Sequence, residues 1–356
     1  MTKTDNNIRN SIYKFLMRQT KKADINYIAE HSISIASDVG LLRAENQDRA
    51  VVMKMQRSED RTIIIGILCD GMGGMKGGAE SASIAIASFL EYCILNRLQN
   101  VKERLECAAL VANKAVYDLF KGDGGCTLVS CIFDSDGGSQ AVSIGDSRLY
   151  AMNDKGLIQL STDDTVEGYF KGNADSPQLS NRLLQYVGIG DDIEPHIIDI
   201  PDISNISNIL ITSDDIHYIN KTTLEMIIKH ESNPYDLSSR LLHLSNWCGG
   251  IDNSSLIVFT KLLSLFESPQ HVDSGTIQLY DSYGISYLLA VNSFSKKPKL
   301  NINKDKLLSV KESKDKEKSA ILERNKNKKD QKKNNPQFQI DFENDTKYNP
   351  PPQIDI

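Results

Sequence analysis

Apolar and polar positions change rhythm several times along the chain, and each change marks an element. Near the N-terminus Ile8, Ile12, Phe15 and Leu16 share one helical stripe, with Ile25, Tyr27 and Ile28 beyond it, so residues 1–30 are expected to form a helical appendage. From Ser32 the period shortens. SISIAS, RAVVMKM and TIIIGILC, the last ending at Asp70, predict short strands separated by Gly, Asp and Asn. Residues 79–96 and 101–120 return to helical spacing and are expected to cover a sheet face. Strands follow at CTLVSCIFD, at SQAVSIGDSRLYAMN as a predicted hairpin, at SNILITSDD and at NSSLIVFT, with residues 222–246 helical between the last two. Paired strands interrupted by paired helices predict an α+β layered architecture with largely antiparallel sheets, and fit a doubly wound parallel fold less well.

After about Leu265 the character changes. Residues 274–291 predict one further hairpin around Ser282, Tyr283 and Gly284, whereas beyond Lys296 the chain is rich in Lys, Asn and Asp and cannot bury enough apolar area to fold alone. The expected division is an appendage at 1–30, a main domain at 31–261, an extension at 262–298 and a disordered basic tail at 299–356. In that tail Gln339-Ile340-Asp341-Phe342 and Gln353-Ile354-Asp355-Ile356 repeat Q-I-D before an apolar residue, each after proline. Such alternation suits strand addition to a tail-binding protein, and two copies would raise its avidity; coincidence in a biased segment explains the repeat equally well.

Composition narrows the class. The 356 residues are 40% apolar, enough for a substantial core, and the six cysteines include no C-x-x-C pair, which points to a reducing compartment and away from zinc ribbons. The N-terminus lacks a signal-peptide apolar region and no stretch approaches the roughly 18 apolar residues of a membrane helix, so a cytoplasmic chain without membrane contact is expected. Net charge is −6, but residues 304–333 carry twelve Lys/Arg against six Asp/Glu, leaving −12 on the remainder. An acidic body is a poor nucleic-acid binder and a plausible cation binder, although solubility is the usual reason for acidity.

Candidate chemistry lies in aspartates at strand ends: Asp48 before RAVV, Asp70 after IIIGILC, Asp146 after AVSIG, Asp214 after ILITS and Asp252 before SSLIVF. A single such Asp is ordinarily a turn or cap residue, but strand ends hold side chains rigidly, and five in one region predict convergence on a hard cation. Gly71, Gly73, Gly74, Gly77 and Gly78 follow Asp70 and let backbone groups approach a ligand. The run has neither the Walker A ending nor G-x-G-x-x-G, so nucleotide binding has weak support.

The ordered series RAENQD (43–48), CDGMGG (69–74), GCTL (125–128), IGDSRLY (144–150), TSDD (212–215) and DNSSLIVF (252–259) resembles the motifs of type 2C (PPM) metal-dependent serine/threonine phosphatases, particularly bacterial ones, over about residues 31–261. The resemblance implies a four-layer α-β-β-α sandwich with two Mn²⁺ or Mg²⁺ ions at one end and a third, looser one. It implies that Asp70 bridges two ions, that the Gly71 carbonyl serves the second, and that Asp214 and Asp252 complete the first. Asp48 would order metal-bound waters, Asp146 would help hold the third ion, and Arg43 would grip phosphate, its planar fork matching two oxygens at once. Phosphoprotein substrates and a partner Ser/Thr kinase follow from the same resemblance. No Cys-x₅-Arg loop is present, as fits a reaction without a phospho-enzyme, and Met72 stands where eukaryotic relatives carry histidine.

Three positions depart from the pattern: Gln47 for a metal-facing Glu, Asp164 where D-H-S is usual, and Asp215 for the glycine after the SDG-type Asp. Asp215 either strains its turn or supplies a further ligand. These departures motivate an alternative, a catalytically weak or inactive phosphatase-like binding module; hydrolysis of small phosphate esters is a third reading. The flap is expected at about residues 166–182, and His196 and His217 are expected to be ordinary packed or surface histidines.

Overall fold

The computed structural model describes residues 5–58, 61–136, 138–166, 168, 183–266 and 276–289. Nearly all of the expected flap and the whole tail, with both Q-I-D copies, lie outside them.

Two antiparallel sheets stack face to face. The first runs β1 (Ala23–Ile28), β2 (Ile33–Asp38), β11 (Ser254–Thr260), β10 (Asn208–Thr212), β7 (Arg148–Asn153), β8 (Gly156–Gln159). The second runs β13 (Gly284–Leu289), β12 (Thr276–Asp281), β3 (Arg49–Ser58), β4 (Arg61–Cys69), β5 (Leu128–Asp134), β6 (Ser139–Ile144), β9 (His196–Asp199). Inward side chains of both, among them Ile35, Val52, Ile64, Leu149, Ile211 and Ile257, form the central core. Gly66 in β4 has a packing reason: a Cβ there would stand 2.6 Å from the Phe259 ring, which crosses from the other sheet to tilt against Phe133 at 5.1 Å.

Helices cover both outer faces, giving the expected α-β-β-α sandwich. On the second sheet lie α2 (Gly78–Leu95) and α3 (Val101–Phe120), with α1 (Asp5–Leu16) packed on α2. On the first lie α5 (Lys221–Lys229) and α6 (Pro234–Trp247), whose Leu224, Ile228, Leu237 and Leu241 pack against Leu210, Leu256 and Val258. The continuous helix expected over 222–246 is two helices. Pro234 has no N–H and drives Asn233 extended (φ −86°, ψ 118°), while Asn233 caps the new helix through the Tyr235 amide at 2.9 Å.

Three further expectations are revised. SQAVSIGDSRLYAMN is not a hairpin: β6 pairs with β5 and β9 in one sheet and β7 with β10 and β8 in the other, so Gly145–Ser147 carries the chain across the sandwich. Residues 1–30 are more than an appendage, because β1 extends the first sheet and Arg9 ties α1 to Glu91 of α2. Helix α2 is, by length and composition, apolar enough to cross a membrane, contrary to the sequence reading, and 78% of it is buried inside the protein. The hairpin expected around Ser282–Gly284 is present as β12 and β13.

Candidate functional site

Antiparallel pairing explains how residues far apart in sequence meet. Arg49 at the start of β3 pairs with Cys69 at the end of β4, so Asp48 and Asp70, one step beyond, leave the second sheet side by side. In the first sheet Thr212 pairs with Leu256, which puts Asp214 just past β10 and Asp252 just before β11 at one edge. Asp214 opens the single turn α4 (Asp214–His217). Asp146 sits on the crossing between the sheets, where Gly145 takes φ +95° and lies so close to Thr127 that a Cβ would approach to 2.8 Å.

The charges of these carboxylates act on one another. Burial first, then the charges of Asp48, Asp214, Asp146 and Asp252, hold the Asp70 carboxyl well above the usual range. Burial pushes Asp48 up to about 7, and burial with Asp146, Asp48 and Asp252 pushes Asp214 up to about 8. Asp146 rises to about 6, mainly through burial. Asp48 is 3% exposed, yet neither of its oxygens has a hydrogen bond of ordinary geometry, nor does Oδ1 of Asp214. The Ser213 and Ser255 hydroxyls stand close enough only to favour the Asp48 anion in part.

Such buried oxygens want a cation, and a divalent ion fits this oxygen-only donor set. Gly71 belongs to the same cradle: a Cβ there would meet the Gly78 carbonyl at 2.5 Å and the Gln47 carbonyl oxygen at 2.7 Å. Its backbone is fixed by a bridge to Cys126, and the Asp70 amide donates to Thr127 Oγ1 at 3.0 Å. Among the described residues no three His, Cys, Asp or Glu side chains close into a ready ligand cage.

Arg43 stands at the mouth, where its Nη2 donates to Asp252 Oδ2 at 2.5 Å. The loop carrying it is organised by Asn253, which sequence reasoning passed over: its Nδ2 donates to the Val39 and Glu45 carbonyls and its Oδ1 accepts from the Gln47 amide. The signal was its place inside DNSSLIVF. Gln47 donates to Glu45 at 2.7 Å and rests its amide on Gly78. Arg49, also missed, donates to the carbonyls of Asn46, Asp48 and Leu16 and to Ser83, fastening the site strand to α1 and α2.

The other departures have structural roles. Asp215 takes ordinary helical geometry and turns away from the cluster to accept from Ser245 and, at 2.8 Å, from Ser254. Neither strain nor ligation is observed for it. Asp164 braces the crossing turn: its Oδ2 accepts from the Gly145 amide at 2.8 Å, while Oδ1 meets His196 Nε2 at 2.7 Å and raises the histidine's pKa. His217 contacts Thr212 through Nδ1 at 3.1 Å, and burial beside Arg148 keeps it neutral. Arg148 itself is committed to Asp163 at 2.7 Å. Beside the cluster opens a cavity of about 580 Å³ whose wall includes Asp146, Asp214, His217, Asn220 and Lys221.

No family model matches the chain, and no curated protein matches it. Solved structures do. A bacterial serine phosphatase superposes with a TM-score of 0.56 at 19% identity, over 64% of this chain and 96% of its own. The PPM Ser-Thr phosphatase MsPP from Mycobacterium smegmatis, in complex with cacodylate, gives 0.53 at 25% identity, over 64% and 97%. Serine/threonine phosphatase Stp1 from Staphylococcus aureus gives 0.56 at 18%, over 68% and 99%. The chain has the fold of the PPM serine/threonine phosphatases.

Proposed function

We propose that the protein removes phosphate from phosphoserine or phosphothreonine on other proteins, in a reaction that requires Mn²⁺ or Mg²⁺. The observation that carries this reading is the meeting of Asp48, Asp70, Asp146, Asp214 and Asp252 at one end of the sandwich, with buried carboxylate oxygens left unpartnered. Mutually repelling buried carboxylates destabilise a fold, so their retention is accounted for by a task. The fold shared with serine/threonine phosphatases supports the same substrate class.

When bound, divalent ions supply a water that is nucleophilic at neutral pH and positive charge for the phosphate oxygens. The chain's part is to hold and orient. Asp70, Asp214, Asp252 and the Gly71 carbonyl would hold two ions, Asp146 a third, and Asp48, dry and without firm hydrogen bonds, would orient water among them. Arg43 would take two phosphate oxygens in its fork. The same proposal makes the chain a cytoplasmic enzyme that opposes a partner Ser/Thr kinase, with the tail as a recruiting segment.

Phosphate release from a phosphothreonine peptide, followed with Mn²⁺, with EDTA and in Asp70→Asn and Asp214→Asn, tests the reading. Release that needs Mn²⁺ and is lost in both variants supports it. A folded wild type that binds Mn²⁺ without turnover would instead make the chain a phosphatase-like binding module, although Asp164 and Asp215, two of the departures that suggested one, now have structural explanations. Equal rates on phosphopeptides and small phosphate esters would make it a general phosphate esterase.

A further inference from the structure

Arg43 has two possible partners and one guanidinium. In the structure it is engaged with Asp252: Nη2 lies 2.5 Å from Oδ2, while Oδ1 accepts from the Asn253 amide at 2.8 Å. Both oxygens of a carboxylate assigned to the first metal are therefore occupied by the chain's own donors. The seat of the guanidinium is built by a glycine, since a Cβ on Gly73 would stand 2.4 Å from Arg43 Nη1. Gly73 is not among the residues with positive φ, so room for Arg43, rather than backbone conformation, explains a glycine there.

We infer that Arg43 is a latch that sets the order of binding, metal before phosphate. The inference rests on the metal-dependent phosphatase reading and adds a positioning role to it. While Arg43 pairs with Asp252 it neutralises one of the cluster's charges and its fork is not free for an anion. A cation arriving at Asp252 competes with the guanidinium for Oδ2; displaced, Arg43 turns to the phosphate that the metal-loaded site attracts. With Arg43 held on Asp252, phosphate would meet both the carboxylates and an engaged arginine, and a metal at Asp252 would change both.

Two substitutions separate the latch from the arginine's grip on phosphate. Arg43→Ala deletes the competitor, and Gly73→Ala keeps arginine but pushes its mobile end off the seat. Titration of Mn²⁺ by calorimetry, with no substrate present, should show both binding about threefold tighter than wild type, the scale of a partly exposed ion pair. In wild type the Arg43 Nε–Hε NMR resonance, assigned by its loss in Arg43→Lys, should move when Mg²⁺ is added without any phosphate. Unchanged or weaker Mn²⁺ binding in both variants, or a resonance unmoved at saturating Mg²⁺, overturns the latch and leaves the phosphatase reading standing. A wild type that binds no divalent ion overturns both.

Discussion

Two layers of aspartate lie within a few residues of one another at the end of the sandwich, and they are treated in opposite ways. In the outer layer Asp48, Asp70 and Asp214 face each other with raised pKa values, and several of their oxygens lack partners. In the layer behind, Asp164 and Asp215 are buried like Asp48, yet each carboxylate is met by two donors: the Gly145 amide and His196, or Ser245 and Ser254. Asp214 and Asp215 are consecutive and belong to opposite layers, because one turn of helix points successive side chains about 100° apart. Burial alone does not mark a functional carboxylate. Asp48, buried without a donor on either oxygen, is what sets the outer layer apart from Asp164 and Asp215.

The sharpest way to break this comparison is to change the consecutive pair separately. Asp214→Asn should lower Mn²⁺-dependent turnover by about a hundredfold or more while leaving metal-free stability unchanged or higher. Asp215→Ala should keep most of the turnover per folded molecule but lose about 1–3 kcal/mol by leaving the Ser245 and Ser254 hydroxyls without their acceptor. Peptide turnover and urea denaturation of both variants check the pair; loss of stability in the first and of activity in the second would merge the two layers.

Next in size is the response to metal and pH. Asp48 and Asp214 titrate near 7 and 8 in the metal-free fold, raised from the usual carboxylate value, so their contribution to stability is fully present below about pH 4 and is lost as pH rises through 7 to 8. Metal-free protein is therefore expected to weaken from pH 5 to 8.5. A fixed Mn²⁺ concentration, a hundred times the Kd at pH 7, should return about 2.7 kcal/mol there and more at the alkaline end, as denaturation with EDTA or Mn²⁺ will show.

The smallest effect belongs to the layer behind. His196 is raised chiefly by its hydrogen bond to Asp164, so the pair's stabilisation is complete below about pH 6.5 and fades as pH climbs through the raised value. Asp164 is buried but His196 is 40% exposed, so solvent screens the pair and a contribution of about 0.5 kcal/mol is expected. The stability gap between wild type and His196→Asn should be present at pH 6 and gone by pH 9.

Much of this was readable in advance where local pattern decides the outcome. TIIIGILC is buried throughout, as its apolar run requires, and the two helices after CDGMGG fall within a residue or two of their expected spans. The five aspartates do sit at or beside strand ends, as their places next to apolar runs require, with Asp146 on the crossing after β6. What sequence did not show was which sheet a strand would join. SQAVSIG and RLYAMN alternate as the halves of a hairpin do, and only packing sends them to different sheets, with Asp146 on the crossing. Pairings such as Asp164 with His196 and Asn253 with Val39 span long loops and leave no local periodicity to read.

The β12–β13 hairpin lies beyond the stretch that carries the motifs, yet it bears on them. It pairs along β3 and is clamped by Arg18 to Asp281 at 2.6 Å and by Asn26 to the Asp281 and Gly284 carbonyls. Strand β3, which leads out of Asp48, is thereby an interior strand. A chain ending at residue 261 would leave the β12-facing side of β3, over the mostly apolar residues 51–55, as an open sheet edge, a template for aggregation or for exchange of strands between molecules. The extension is thus a guard of solubility for the strand that carries Asp48 to the end of the sandwich.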